Sequence, residues 1–230
     1  MPELPRIEAV AFDCDGLMFN TEDAFNAAGR ELLRRRGHEL TPAVLRLMMG
    51  RRAAEAFDAL IDHLRLSDTP DMLREEYRSL FWAALEGRLA AMPGLYDLLA
   101  LIERRGLPKA VCTSSERPYL DKMLGRFDLT SRFVATLTAE DVTHGKPHPE
   151  IYLKAAERLG VRPENLLVLE DSENGTKAGA AAGAVAVSVP HDHSRSQDFS
   201  AAYLVADGLG DPRIAALVDP DGPSGGLFGR

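Results

Sequence analysis

Beyond the turn Met92-Pro93-Gly94, short apolar runs alternate with segments of helical spacing, and few architectures can satisfy that alternation. The apolar runs predict strands at 109–113, 133–137, 166–169 and 185–189. The intervening segments predict helices at 95–105, 116–124, 149–159 and 175–182. Strands separated by helix-length crossovers pair in parallel, and a parallel sheet must be covered on both faces. A further apolar run, Ile7 to Phe12, has the same character and belongs to the same sheet. From Thr21 to Leu89 the spacing is helical throughout, with Thr21 expected to cap the first helix and Gly37 to end it. The fold class is therefore α/β: a parallel-sheet core formed by 1–20 and 91–230, interrupted by a small all-α insertion at 21–90. Gly175, Gly179 and Gly183 recur every four residues and predict a helix that lies close against the sheet.

The first strand runs into Asp13-Cys14-Asp15-Gly16. Side chains two apart on an extended segment point the same way. At about 4 Å and an effective dielectric near 20, two carboxylates repel by roughly 4 kcal/mol. A bound cation or a shared proton would compensate, and a nucleophilic carboxylate beside a proton-shuttling one is a workable chemical pair. Alone, the triplet is also compatible with an ordinary polar strand-to-turn boundary.

The other polar strand ends change that balance. Ligands of doubly wound sheets sit beyond the carboxyl ends of the strands. There the sequence places Asp13 and Asp15, Thr113-Ser114, and Glu170-Asp171-Ser172, with Lys146 in the loop Gly145-Lys146-Pro147. Hard oxygen ligands suit Mg²⁺, which keeps waters and binds substrate phosphate. Lys146, the Thr113 hydroxyl and nearby backbone N–H groups would hold phosphate oxygens.

Asp13-Cys14-Asp15-Gly16, Thr113, Lys146-Pro147 and Glu170-Asp171 resemble, in order, the four motifs of the haloacid dehalogenase-type phosphohydrolase superfamily. The resemblance covers residues 7 to about 190. The helical insertion is similar to the small cap of the beta-phosphoglucomutase-like and pseudouridine-5′-phosphatase-like branch. The resemblance implies a Rossmann-like core and a mobile cap hinged near 19–22 and 91–94. It also implies a Mg²⁺-dependent phosphatase acting on a sugar phosphate or nucleoside monophosphate. By the same resemblance Asp13 is the nucleophile and Asp15 the general acid and base. Thr113, with Ser114 nearby, holds the phosphoryl group, and Lys146 neutralises it. Asp13, Asp15 (through its carbonyl), Glu170 and Asp171 surround the metal. Dehalogenation, which needs no acid for an alcohol leaving group, is disfavoured by Asp15.

The alternative within the family is a phosphosugar mutase. Its pattern places a histidine twelve residues past the nucleophile, where this chain has Phe25. The alternative of another class is a non-catalytic phospholigand- or protein-binding member; retention of both Asp13 and Lys146 argues against it. Arg51 and Arg52, in the insertion, are either contacts to a substrate phosphate or hydroxyl, or solvated helix-start charges.

Other motifs dissolve on inspection. Cys112 and Arg117 are one residue too close for a cysteine-phosphatase loop, with Pro118 where the arginine should be. The glycine of Asp13-Cys14-Asp15-Gly16 stands two positions early for an EF-hand. His144, His148, His191 and His193 are expected to be surface residues, since nothing in the spacing fixes a four-ligand geometry, with the alternative that one of them near the rim contacts substrate. Arg34-Arg35-Arg36 is expected to be a solvated helix end. A net charge of −8 disfavours nucleic acid and anionic membranes as partners. Two cysteines and no leader-like or membrane-spanning stretch predict a cytoplasmic protein. The expected state is a monomer or weak dimer.

Overall fold

The structure, a computed structural model, describes residues 5–48 and 53–222. Arg51 and Arg52 lie outside the described residues. The chain divides into two compact units, 1–19 with 91–230, and 20–90.

In the helical unit the elements are α1 (Glu22–Arg34), α2 (Pro42–Met48), α3 (Ala53–Leu64) and α4 (Pro70–Leu85). Leu32, Leu33, Val44, Phe57, Leu60 and Leu73 form its core. Phe25 stacks on Phe81, with ring centroids 4.4 Å apart, and its carbonyl accepts a bond from the Tyr77 hydroxyl at 3.2 Å. The expected Thr21 cap is absent: its backbone is already helical and its side chain makes no capping bond. α4 is capped as its sequence suggests, with the Thr69 hydroxyl accepting from Met72 N–H and Pro70 opening the helix. Asn20 ties the two ends of the unit together, bonding Ala90 N–H at 2.6 Å and the Arg88 carbonyl at 3.0 Å.

In the core unit the strands are β1 (Ala9–Phe12), β2 (Lys109–Cys112), β3 (Ala135–Leu137), β4 (Leu166–Glu170), β5 (Val185–Ser188) and β6 (Leu204–Val205). They form one sheet in the order β3-β2-β1-β4-β5-β6, with every pairing parallel. The helices are α5 (Leu95–Arg104), α6 (Arg117–Arg126), α7 (Glu150–Leu159), α8 (Glu173–Ala181) and α9 (Pro212–Val218). Residues of β1, β2, β4 and β5 are buried on both faces, which is why these strands have unbroken apolar runs instead of alternation. Two elements went unanticipated: β6, only two residues long and partly exposed, and the short α9.

Small residues set the spacing of the layers. A Cβ on Gly179 would stand 3.0 Å from a Val168 methyl, so α8 lies against β4 at glycine distance. Gly183 does not share this role; it closes the helix at positive φ with open space around it.

Register decides what meets at the rim. Phe12 lies opposite Val111 on one side and Leu169 on the other. The next residues, Asp13, Cys112 and Glu170, therefore emerge level with one another across the three central strands.

Candidate active site

Lys146 is the pivot of the rim. Its ammonium donates to Asp13 Oδ1 at 2.5 Å, to Glu170 Oε1 at 2.6 Å and to the Cys112 carbonyl at 3.0 Å. The three acceptors are the residues that the register brings level. Lys146, Asp13, Glu170 and Asp171 are all buried.

Glu170 is the most deeply buried of the four, and both of its oxygens are occupied. Oε1 accepts from Lys146 and, at 2.6 Å, from the Tyr152 hydroxyl. Oε2 accepts from Asp171 N–H, Ser172 N–H and the Ser172 hydroxyl. A Cβ on Gly175 would lie 1.8 Å from this carboxylate, so glycine there is a requirement of space. Tyr152 also places its ring 5.2 Å from the Lys146 ammonium.

Asp15 is held by residues that follow β2. Its Oδ2 accepts from the Ser115 hydroxyl at 2.9 Å and the Thr113 hydroxyl at 3.4 Å, and its Oδ1 from the Tyr119 hydroxyl. Ser114 occupies the bend between them, half-buried. Gly16 has φ +77°, and a Cβ there would stand 2.5 Å from Asp171 Oδ2 and 2.8 Å from His191 Nε2. The backbone thus approaches Asp171 as only glycine permits.

The electrostatics are lopsided. Four carboxylates, Asp13, Asp15, Glu170 and Asp171, share the rim with one ammonium. Burial first, and the neighbouring carboxylates next, push Asp13 and Asp171 well above the ordinary carboxylate range. For Lys146, burial acts to lower the value, but Asp13 and Glu170 together outweigh it and the ammonium is held well above its ordinary range. Oxygens of Asp13, Glu170 and Asp171 lie within 4.8 Å of one another. An oxygen-only donor set with surplus negative charge fits a hard divalent cation.

Thus the structure gathers Asp13, Asp15, Thr113, Lys146, Glu170 and Asp171 at one rim. Sequence reasoning missed Ser115, Tyr119, Tyr152 and His191. His191 corrects the surface-histidine expectation: its side chain is only 13% exposed, and Nε2 lies 2.8 Å from Asp171 Oδ2. Its Nδ1 accepts from His193 N–H, which assigns the Nε2 proton to the Asp171 bond. The signal was available, because His191 follows the end of β5 at the same rim. Cys14 and Cys112 are fully buried free thiols, raised by burial and so inert. Arg117 is spent on Thr136 and Asp141.

Fold and site together define an α/β enzyme core whose acidic sheet rim is organised about one lysine. The family model for haloacid dehalogenase-like hydrolases matches residues 7–183, and the chain belongs to that family. It is 31% identical over 177 residues to a phosphorylated carbohydrates phosphatase of Thermotoga maritima, covering 77% of this chain and 82% of that protein. It is 32% identical over 200 residues to the validoxylamine A 7′-phosphate phosphatase of Streptomyces hygroscopicus subsp. limoneus, covering 85% and 92%. Among solved structures, a variant of CbbY from Rhodobacter sphaeroides in complex with xylulose-(1,5)bisphosphate aligns with TM-score 0.78 and 27% identity, covering 88% of this chain and 95% of that one. The protein is a hydrolase of the phosphoric monoester class.

Proposed function

We propose that the chain is a Mg²⁺-dependent phosphatase of small phosphorylated metabolites, sugar phosphates foremost, acting through an aspartyl-phosphate on Asp13. The observation that carries this reading is Lys146, bound at once to Asp13 and Glu170 in a rim with too many carboxylates to be self-sufficient. The relatives that act on a phosphorylated carbohydrate and a validoxylamine phosphate, and the CbbY complex with a sugar bisphosphate, support the substrate class.

Asp13 and Asp171, with the Asp15 carbonyl, would hold the ion. Glu170, its oxygens occupied by protein donors, adds charge and fixes Lys146 in place. Bound there, Mg²⁺ would supply positive charge against the phosphoryl oxygens. A carboxylate oxygen of Asp13 attacks phosphorus, and the bond from phosphorus to the ester oxygen breaks. Protonated Asp15 gives its proton to the departing alkoxide. Asp15, now a carboxylate, takes a proton from water as that water attacks the aspartyl-phosphate; phosphate leaves and Asp13 is restored. Lys146 and Thr113 offset charge on the phosphoryl oxygens throughout, while Tyr119 and Ser115 orient Asp15. The uncatalysed reaction is slow enough to need up to roughly 10²¹-fold acceleration, so charge and alignment are the main terms.

The 20–90 unit takes the part of a substrate-selecting cap, with Arg51 and Arg52 as candidate contacts from it. The reading includes a cytoplasmic setting, consistent with two reduced, buried thiols, and a monomer or weak dimer. No described helix is long and apolar enough to cross a membrane.

The test is phosphate release from a panel of sugar phosphates, nucleoside monophosphates and phosphoglycolate, with Mg²⁺ and with chelator. Beta-glucose 1-phosphate is included, with glucose 6-phosphate followed separately. The expected outcome is metal-dependent release that falls by about 10⁴-fold or more in Asp13→Asn. Release that survives this change refutes the aspartyl-phosphate. Isomerised glucose phosphate with little free phosphate makes the enzyme a mutase.

A further inference from the structure

On the outer side of the turn that carries Lys146, a second group of ligating side chains converges that the phosphatase reading does not use. His144 and His148 bracket Gly145-Lys146-Pro147, and their rings lie 4.6 Å apart. The turn is closed by a bond from His148 N–H to the Gly145 carbonyl at 3.0 Å. Both imidazoles face Glu150, the first residue of α7. His144 Nδ1 is 3.2 Å from Glu150 Oε2, and His148 Nδ1 accepts a long, 3.3 Å bond from Glu150 N–H. One ligand atom from each of the three residues lies within 4.8 Å of the others.

The carboxylate is already fixed for the task. Thr143 N–H and His144 N–H each donate to it at 2.9 Å, and Lys154 at 2.7 Å, to Oε1. The Lys154 bond first, and the backbone donors next, hold Glu150 well below the ordinary carboxylate range. Lys154 faces the cluster with like charge to any cation, and it cancels the single negative charge of Glu150. A hard ion that depends on carboxylate charge therefore gains little here. Two imidazole nitrogens and one oxygen suit an ion that prefers nitrogen ligands. Tetrahedral Zn²⁺ with bonds of about 2.0–2.1 Å needs ligand atoms roughly 3.4 Å apart. The His144–Glu150 pair, at 3.2 Å, is close to that spacing, and His148 offers a ligand atom within 4.8 Å of both. His144 is well exposed, so solvent can complete the coordination.

We propose that His144, His148 and Glu150 form a transition-metal site of the Zn²⁺ class, distinct from the rim, which clamps the Lys146 turn from outside. The catalytic reading could fail and this site would still stand, since none of its ligands touches Asp13, Glu170 or Asp171 in the bonds described.

Zn²⁺ binding is measured by calorimetry on the full chain, in excess Mg²⁺. The Asp171→Asn background removes the acidic rim as a competing site. One Zn²⁺ equivalent is expected in Asp171→Asn. It should weaken by about tenfold or more when His148→Ala is added, and likewise for His144→Ala. Co²⁺ substitution gives a second readout: a visible d–d absorption band that disappears with either histidine. Because both histidines are at the surface, a circular dichroism spectrum unchanged by either substitution keeps misfolding apart from ligand loss. Zn²⁺ bound equally tightly without His148 and His144, or no Zn²⁺ equivalent in Asp171→Asn, overturns the site.

Discussion

Two ion networks in this molecule are built from similar parts and behave in opposite ways. In the helical unit Arg36 pairs with Asp68 and Glu76 at 2.7 Å each, while Arg34 and Arg35 share Glu31 and Arg35 also reaches Glu76. Three guanidinium groups face three carboxylates, and each partner stabilises the charge of the other. Bonds from Arg34 and Arg35 lower Glu31 to about 2, and the Arg36 bond lowers Asp68. At the sheet rim one ammonium faces four carboxylates, and burial raises Asp13 and Asp171. A balanced, partly exposed network closes upon itself and serves structure. A buried, unbalanced one needs charge from elsewhere, which is the electrostatic signature of a site.

The sharpest way to break this comparison is Asp171→Asn. With chelator present, folded Asp171 keeps a proton that the unfolded chain, with an ordinary value of 3.8, gives up. Folding stability from this group therefore falls as pH rises from about 4 through the raised folded value. Glu31 has the reverse sign: its contribution is complete above its ordinary 4.5 and is lost as pH falls toward 2. Asp171→Asn should abolish Mg²⁺-dependent turnover, by about 10³-fold or more, and yet raise the melting temperature of the metal-free protein near pH 8. A relief of about 1 kcal/mol corresponds to roughly 2–4 °C in a chain of this size. Added Mg²⁺ should stabilise the native protein and leave the variant unmoved. Thermal melts with and without Mg²⁺ across pH decide it; a variant that melts lower without metal would mean that the rim carries no excess charge.

A smaller effect is expected from His191, which touches Asp171 but lies outside the motifs. His191→Ala should weaken Mg²⁺ binding by about 10–100-fold, the usual cost of losing a group that orients a ligand. His191→Gln, which can still donate, should recover part of that loss. Titration of Mg²⁺, or of Mn²⁺ by spin resonance, checks both variants; an unchanged affinity in His191→Ala would reduce the contact to packing.

His191 also marks how far the sequence was legible. The sheet could be read because buried parallel strands leave continuous apolar runs, and the rim because polar residues follow β1 and β2 directly, Asp13 and Thr113, while β4 ends in Glu170. Register then brings Asp13, Cys112 and Glu170 level, and the Lys146 loop joins Asp13 across 133 positions. Residues that act through others left no such trace. Tyr152 stands on the buried stripe of α7, where an aromatic signals core, and Tyr119 and Ser115 look like ordinary helix-entry residues. Their task depends on where Glu170 and Asp15 point, which no spacing in one sequence records. Likewise Arg36 read as one of three solvated charges, whereas its side chain is 15% exposed and anchored on three acceptors, Leu32 O among them.

That anchoring sets the smallest of the expected effects. Arg36→Ala removes bonds to Asp68, Glu76 and the Leu32 carbonyl, and some aliphatic contact with them. Its partners keep access to water, and Glu76 keeps Arg35, so neither carboxylate is stranded. The cost should be about 1 kcal/mol or less, and smaller still at high salt. Denaturant melts at two ionic strengths measure it, alongside Mg²⁺ affinity, which should not change. A salt-independent loss of several kcal/mol would instead place Arg36 in the class of buried ions, and the contrast between a self-contained network and a needy one would then rest on burial alone, not on balance.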